Sequence, residues 1–210
     1  MSHYNKKYFD WQHKLGLIAG RNNLFLYERY IDPEDNVIDF GCGGGFLLGN
    51  IGCKNKIGIE INPEARKLAS SNGVETVSSV SEIPDAWADI IISCHALEHT
   101  SRPLDELISL YPKLKAKGKI IFVVPYERNV AFEPNDINQH LYTWSRMNLG
   151  NLFTKAGYNV IKVDEIHHRF PPFSRQLVSL LGENLFYGIS RIYGSIRRKI
   201  TQVRVVAEKS

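Results

Sequence analysis

The sequence has no apolar run approaching the roughly 18 residues of a membrane-spanning helix, which excludes a helical span. Its start, Met1-Ser-His-Tyr-Asn-Lys-Lys-Tyr, lacks the apolar stretch and small-residue cleavage site of a secretory signal, so no export is expected. Cysteine is scarce. Cys42, Cys53 and Cys94 cannot all pair within one chain, and their spacing matches no zinc site. Reduced thiols, a cytoplasmic location and no metal ligand set are therefore expected. No Gly-Lys-Ser/Thr follows any glycine loop, which excludes a phosphate-binding Walker loop. There is no internal repeat and no low-complexity tract. A net charge of +4 is too small for the broad basic surface of a general nucleic-acid binder.

What is present is an ordinary globular composition over 210 residues, with 43% hydrophobic and 23% charged residues, enough for one domain with a proper core. Residues 1–35 form an aromatic N-terminal cap region. Its Tyr8, Trp11, Leu15 and Ile18 recur at helical spacing, and it ends in the turn Asp32-Pro-Glu-Asp35. Short apolar runs then read as strands at Asn36–Phe40, Ile57–Glu60, Val74–Val77, Asp89–Ser93, Lys119–Val124, Tyr158–Glu165 and Gln202–Glu208. Helix patterns lie between them at Gly44–Asn50, Pro63–Ser71, Leu104–Lys115 and Ser145–Ala156. Pro63 and Pro103 suit a first helical turn, and Gly73, Gly118 and Gly157 suit positions just past helix ends. This alternation predicts an α/β fold: a seven-stranded, mostly parallel sheet with helices on both faces. A helical insertion, residues 167–200, precedes the last strand. It carries six cations (Arg169, Arg175, Arg191, Arg197, Arg198, Lys199) against Glu183 alone.

The most informative stretch is Val37-Ile-Asp-Phe-Gly-Cys-Gly-Gly-Gly-Phe-Leu-Leu48, an apolar strand running into Gly41, Gly43 and Gly45. Glycines there let the backbone turn sharply and let a ligand approach the main chain. Glu60 closes the next strand about 20 residues later, where a carboxylate can accept both hydroxyl hydrogens of a ribose. The pair predicts a nucleoside-containing cofactor at the C-terminal edge of the sheet. A dinucleotide fingerprint would need a third glycine where Phe46 stands.

Asp39-Phe-Gly41-Cys-Gly43-Gly-Gly45 resembles the first motif of the class I S-adenosylmethionine-dependent methyltransferases. Further likenesses follow along the chain: Ile57-Gly-Ile-Glu-Ile-Asn62, then Ala88–His99 with its Leu-Glu-His, then Leu114–Pro125 and Gln139–Ser145. The resemblance spans roughly Asn36 to Glu208 and implies a Rossmann-like fold with S-adenosylmethionine as cofactor. Carried onto this sequence, it implies a cofactor site made from Asp39, Gly41, Cys42, Gly43, Gly45, Glu60, Ile61, Ser79, Val80, Ser93 and His95. Two departures stand out. Ser79 occupies the place of an Asp that accepts from the adenine amino group, and Ala116-Lys117 replaces a Pro-Gly before the fifth strand.

Methyl transfer from a sulfonium is mainly a matter of alignment, and a base is needed only when the acceptor must lose a proton. His140 is the candidate base or acceptor ligand. His99 and Tyr126 are candidate substrate contacts, with packed or hydrogen-bonded loop residues as the plain alternative. The Leu-Glu-His loop favours O- or N-methylation of a small-molecule, sugar or lipid-linked acceptor over nucleic acid. A non-catalytic cofactor-binding subunit or regulator is the competing reading. The insertion suits a pocket lid, an oligomer contact, or a peripheral membrane contact through residues 170–200, where an apolar helical stripe with basic flanks would meet anionic headgroups.

Overall fold

The computed structural model describes residues 20–127, 131–134, 136, 138–167, 172, 174–197 and 202–210. All seven strands join one sheet: β1 (Asn36–Phe40), β2 (Asn55–Ile59), β3 (Glu75–Val77), β4 (Ala88–Cys94), β5 (Leu114–Pro125), β6 (Asn159–Ile166) and β7 (Gln202–Glu208). Their order is β3-β2-β1-β4-β5-β7-β6. The first five pair in parallel, while β7 runs antiparallel to both β5 and β6. This is the mostly parallel α/β sheet the sequence predicts.

Side chains alternate across the sheet. Ile91, Ile120, Phe122 and Val124 enter one core layer. Ile90, Ile92, Ile121 and Val123 enter the other. Helices α2 (Pro103–Leu110) and α3 (Arg146–Lys155) cover the first layer with Leu107, Leu110, Leu149 and Phe153, all fully buried. Phe153 packs edge-on against Phe122 at 5.5 Å between ring centroids. The second layer is covered by the turn residues Leu26 and Tyr27, by Leu47–Ile51, and by Ala69 of α1 (Pro63–Ser71).

The caps follow sequence chemistry. Asn62 Oδ1 accepts from Glu64 N at 2.9 Å ahead of Pro63. Ser145 and Asn148 form a reciprocal capping box ahead of α3. Across the antiparallel pair, Asp164 faces Arg204, which donates Nε and a terminal nitrogen to its carboxylate at 3.0 and 2.7 Å. The other terminal nitrogen of Arg204 reaches the Leu26 carbonyl at 2.9 Å, fastening the N-terminal turns to the last strand.

Several local expectations are corrected. The segment Gly44–Asn50 is not an α-helix; it turns irregularly and ends in one 3-10 turn at Leu48–Asn50. Gly44, Gly45 and Gly49 supply too little helix preference to overcome so short a link to β2. The third helix pattern stops at Leu110, and Leu114 already starts β5. Gly118 therefore lies inside a strand, and the left-handed residue there is Lys117, at φ 62°. The insertion forms α4 (Ser174–Leu181) and α5 (Glu183–Arg197), broken at Gly182 with φ 72°, while Gly188 stays helical. Tyr8, Trp11, Leu15 and Ile18 lie outside the described residues.

Candidate active site

Strand order reverses beside β1, because β2 leads away on one side and β4 on the other. A crevice must open there at the strands' C-terminal ends. Gly41, at φ 74°, turns the chain across the end of β2, where Ile59 O accepts from both Gly41 N and Cys42 N (2.9 and 3.1 Å). A Cβ on Gly41 would stand 2.3 Å from Ala96 Cβ, so the close approach of the β4 loop demands glycine. Gly43, at φ 53°, has open space above it: a Cβ there would meet nothing within 4 Å.

Glu60 follows β2 and locks the turn. Its carboxylate accepts from Gly43 N at 3.0 Å and from Asn62 N at 2.8 Å. Burial pushes this carboxyl above the usual carboxylate range, and the two amide hydrogen bonds pull it back. Ile61 is 72% exposed beside it, an apolar face available to a flat ring. Beyond β3, Ser79 caps a 3-10 turn, with its hydroxyl accepting from Ser81 N at 3.2 Å. Val80 takes the first position of that turn, where a backbone N–H has no partner within the helix.

A cavity of about 730 Å³ gathers these parts. Gly41, Gly43, Glu60, Ile61, Ser79 and Val80 line it, together with His95, Ala96 and His99. Most of the cofactor residues expected from the sequence are thus brought together, with His99 beside them. Asp39, Cys42 and Gly45 do not line the cavity; they support the turn from behind. Asp39 is buried, and burial together with the nearby Glu60 charge raises its carboxyl to about 7. Burial likewise pushes the Cys42 thiol up, which makes it an inert packing group.

Ser93 is a correction. It is buried, its hydroxyl donates to Phe40 O at 2.8 Å, and its carbonyl accepts from Tyr27 OH at 2.8 Å, so it faces the sheet. Tyr126 and His140 are likewise not among the cavity's lining residues. Tyr126 is half-buried against the first core layer.

His140 instead joins a cluster behind His99. Its Nδ1 lies 2.9 Å from Glu127 Oε1, and its ring meets His99 edge-on at 4.9 Å between centroids. Glu98, fully buried in the 3-10 turn Leu97–His99, lies between the histidines. Its Oε1 is 3.4 Å from His95 Nδ1 and 4.0 Å from His140 Nε2. Leu141 N donates to Glu98 O at 2.9 Å, which anchors the loop bearing His140. His95, at φ 56°, is held by Gln202 Nε2 at 2.8 Å from its Nε2. Glu98, Glu127 and Gln202 do not stand out as site residues in the sequence. The one signal for Glu98 is its spacing, three residues after His95 and beside His99.

An open α/β sheet with a glycine turn, an acidic tip on the neighbouring strand and a crevice between them defines a class of nucleoside-cofactor-binding domains. Residues 4–163 match a family described as a methyltransferase domain, and the chain belongs to that family. It is similar to a tRNA U34 carboxymethyltransferase of Shewanella baltica, 28% identical over 129 residues, covering 52% of this chain and 38% of that protein. It also resembles a ribosomal protein L11 methyltransferase of Burkholderia cenocepacia, 33% identical over 98 residues, covering 44% of this chain and 33% of that one. The matched region thus spans 38% and 33% of these relatives' lengths. Its fold matches the crystal structure of a SAM-dependent methyltransferase from Archaeoglobus fulgidus with TM-score 0.68 and 19% identity, covering 96% of this chain and 99% of the other. Family and fold together identify a methyltransferase domain built on an open, mostly parallel α/β sheet.

Proposed function

We propose that this chain transfers a methyl group from S-adenosylmethionine to an oxygen or nitrogen of a small-molecule, sugar or lipid-linked acceptor. The observation that carries this reading is the continuous cavity. At about 730 Å³ it falls in the range of clefts that enclose small ligands. On this reading its glycine and Glu60 residues would take the nucleoside, and His95–His99 would receive the acceptor. Donor placement would run from Ser79 and Val80 at the adenine, past Ile61 and Glu60 at the ribose, to Gly41 at the methionine end. Because the sulfonium is already activated, alignment along this channel supplies most of the rate. His99, which lines the cavity, is the acceptor contact on this reading, and His140 acts from behind it.

Two helices of the insertion favour an acceptor with an apolar part. Leu180, Leu185 and Ile192 are 80%, 56% and 62% exposed, apolar side chains on a segment whose sequence is rich in arginine. Arg198 and Lys199 lie outside the described residues. No described helix is long and apolar enough to cross a membrane.

The test is methyl-labelled S-adenosylmethionine incubated with four acceptor fractions: aqueous small molecules, organic-soluble lipids, bulk tRNA and ribosomal proteins. Label in either of the first two supports the reading. Label confined to RNA or protein, the substrates named for the relatives above, overturns it.

A further inference from the structure

We propose that Glu98, His99 and His140 form a binding site for a divalent first-row transition-metal ion, which holds an acceptor oxygen beside the methyl donor. One ligand atom from each of the three residues lies within 4.8 Å of the others. The cysteines lack metal-ligand spacing, and this cluster uses none of them.

Three observations converge on it. First, Glu98 is fully buried, and neither carboxylate oxygen accepts a hydrogen bond among the described residues. A carboxylate taken out of water needs a compensating positive charge or a set of donors. The groups facing it are imidazoles, His95 Nδ1 at 3.4 Å and His140 Nε2 at 4.0 Å.

Second, Glu127 fixes the tautomer of His140. A carboxylate only accepts, so His140 Nδ1, 2.9 Å away, carries the proton. With that proton on Nδ1, Nε2 is the nitrogen left to ligate, and it lies 4.0 Å from Glu98 Oε1. That distance is too long for a hydrogen bond. It suits two ligands on one ion, since metal–ligand bonds of about 2.0–2.2 Å place neighbouring ligand atoms roughly 3–4 Å apart. Bringing atoms up to 4.8 Å apart to that spacing takes side-chain shifts of roughly 0.5–1 Å on each partner.

Third, the surroundings are those a metal-binding imidazole uses. Its second nitrogen is held by a carboxylate, which orients the ring and raises its basicity. The Leu141 N–H to Glu98 carbonyl bond ties the two ligand-bearing loops together.

Two imidazole nitrogens and one carboxylate oxygen favour zinc, iron, cobalt or manganese over magnesium or calcium. Three protein ligands leave coordination positions open. His99 lines the cavity, so those positions face its acceptor end. Resting on the methyl-transfer reading, the ion would bind an acceptor hydroxyl and lower its pKa. The hydroxyl proton passes to solvent, the oxygen lone pair forms the O–C bond, and the C–S bond breaks. Its electron pair returns to sulfur as the neutral thioether.

The site is tested by stripping the full chain with a chelator and titrating Co²⁺, followed by visible absorption and calorimetry. The expected result is one equivalent bound, with a d–d spectrum of nitrogen and oxygen ligation and a raised melting temperature. His99→Gln and His140→Gln should each weaken Co²⁺ binding at least about tenfold, and Glu127→Gln about 10–100-fold through orientation alone. Glu98→Gln should abolish binding; because that variant also alters a buried group, the two histidine variants are the deciding ones. No stoichiometric Co²⁺ binding by the folded chain, or binding indifferent to both histidine variants, overturns the site. Co²⁺ binding without S-adenosylhomocysteine binding would sustain the site and overturn the methyl-transfer reading.

Discussion

Glu60 has two tasks that one substitution separates. Its carboxylate holds the glycine turn through Gly43 N and Asn62 N at 3.0 and 2.8 Å, and on the proposed reading it also receives the ribose hydroxyls. Glu60→Ala removes both. Charge-assisted hydrogen bonds are worth about 1.5–3 kcal/mol each, so losing the ribose pair, about 3–6 kcal/mol, should weaken S-adenosylhomocysteine binding at least about 150-fold. The freed amides border an open cavity and regain water, so the cost to the fold is smaller, about 1–2 kcal/mol. For a chain of this size that lowers Tm by roughly 2–8 °C. Glu60→Gln keeps one acceptor oxygen but presents an NH₂ to one amide, and should fall between Ala and the parent on both scales. Calorimetric titration gives the Kd, and thermal denaturation of the free chain gives Tm. An Ala variant with lowered Tm and unchanged Kd would show that Glu60 only braces the turn. Unchanged Tm with weakened Kd would show that the amide bonds contribute nothing in the free protein.

Ser79→Asp keeps an N-cap acceptor and adds charge toward the adenine amino group; Tm should hold and binding should tighten about two- to fivefold in titration, and weaker binding would refute the placement. Lys117→Gly relieves an exposed left-handed residue and should stabilise the chain by about 0.5–1 kcal/mol in urea denaturation, whereas a loss would refute the backbone assignment. Asp39 gives a pH prediction. Its folded carboxyl titrates at about 7 against an ordinary 3.8, so the folded chain keeps a proton that the unfolded chain releases. Its contribution is fully favourable below about pH 4, fades as pH rises to about 7, and is flat above. Asp39→Asn should remove this loss, on the order of a few kcal/mol, so that its advantage over the parent grows between about pH 4 and 7 in melting curves; parallel curves would refute it.

The sheet was legible in the sequence because its signals are local. Runs such as Ile90–Ile92 and Ile120–Val124 must be buried on both faces, and Gly41 and Gly43 stand where only the turn explains them. Glu60 was legible because its distance from Gly41 is set by one strand crossover. What escaped depends on contacts between distant segments. Whether Ser93 faces cavity or sheet is decided by Phe40 and Tyr27, and the setting of His140 by Glu127 and Glu98. Lys117 was missed because glycine preference pointed to its neighbour. Gly118 is required for room instead: a Cβ there would sit 3.0 Å from Asp89 O and from Leu114 Cδ2.

The position of β7 has a kinetic consequence. It enters between β5 and β6 after every other strand, and pairs Phe122 with Val205 and Val163 with Val205 on its two edges. Until Gln202–Glu208 is available, β5 and β6 have no common partner, and each exposes a row of unpaired amides and carbonyls. Such late, non-local pairing slows folding and leaves strand edges open to association with other chains. During synthesis, the half-built sheet would be at its most aggregation-prone while the insertion is being made, and a chaperone that shields strand edges would have most to protect in that interval.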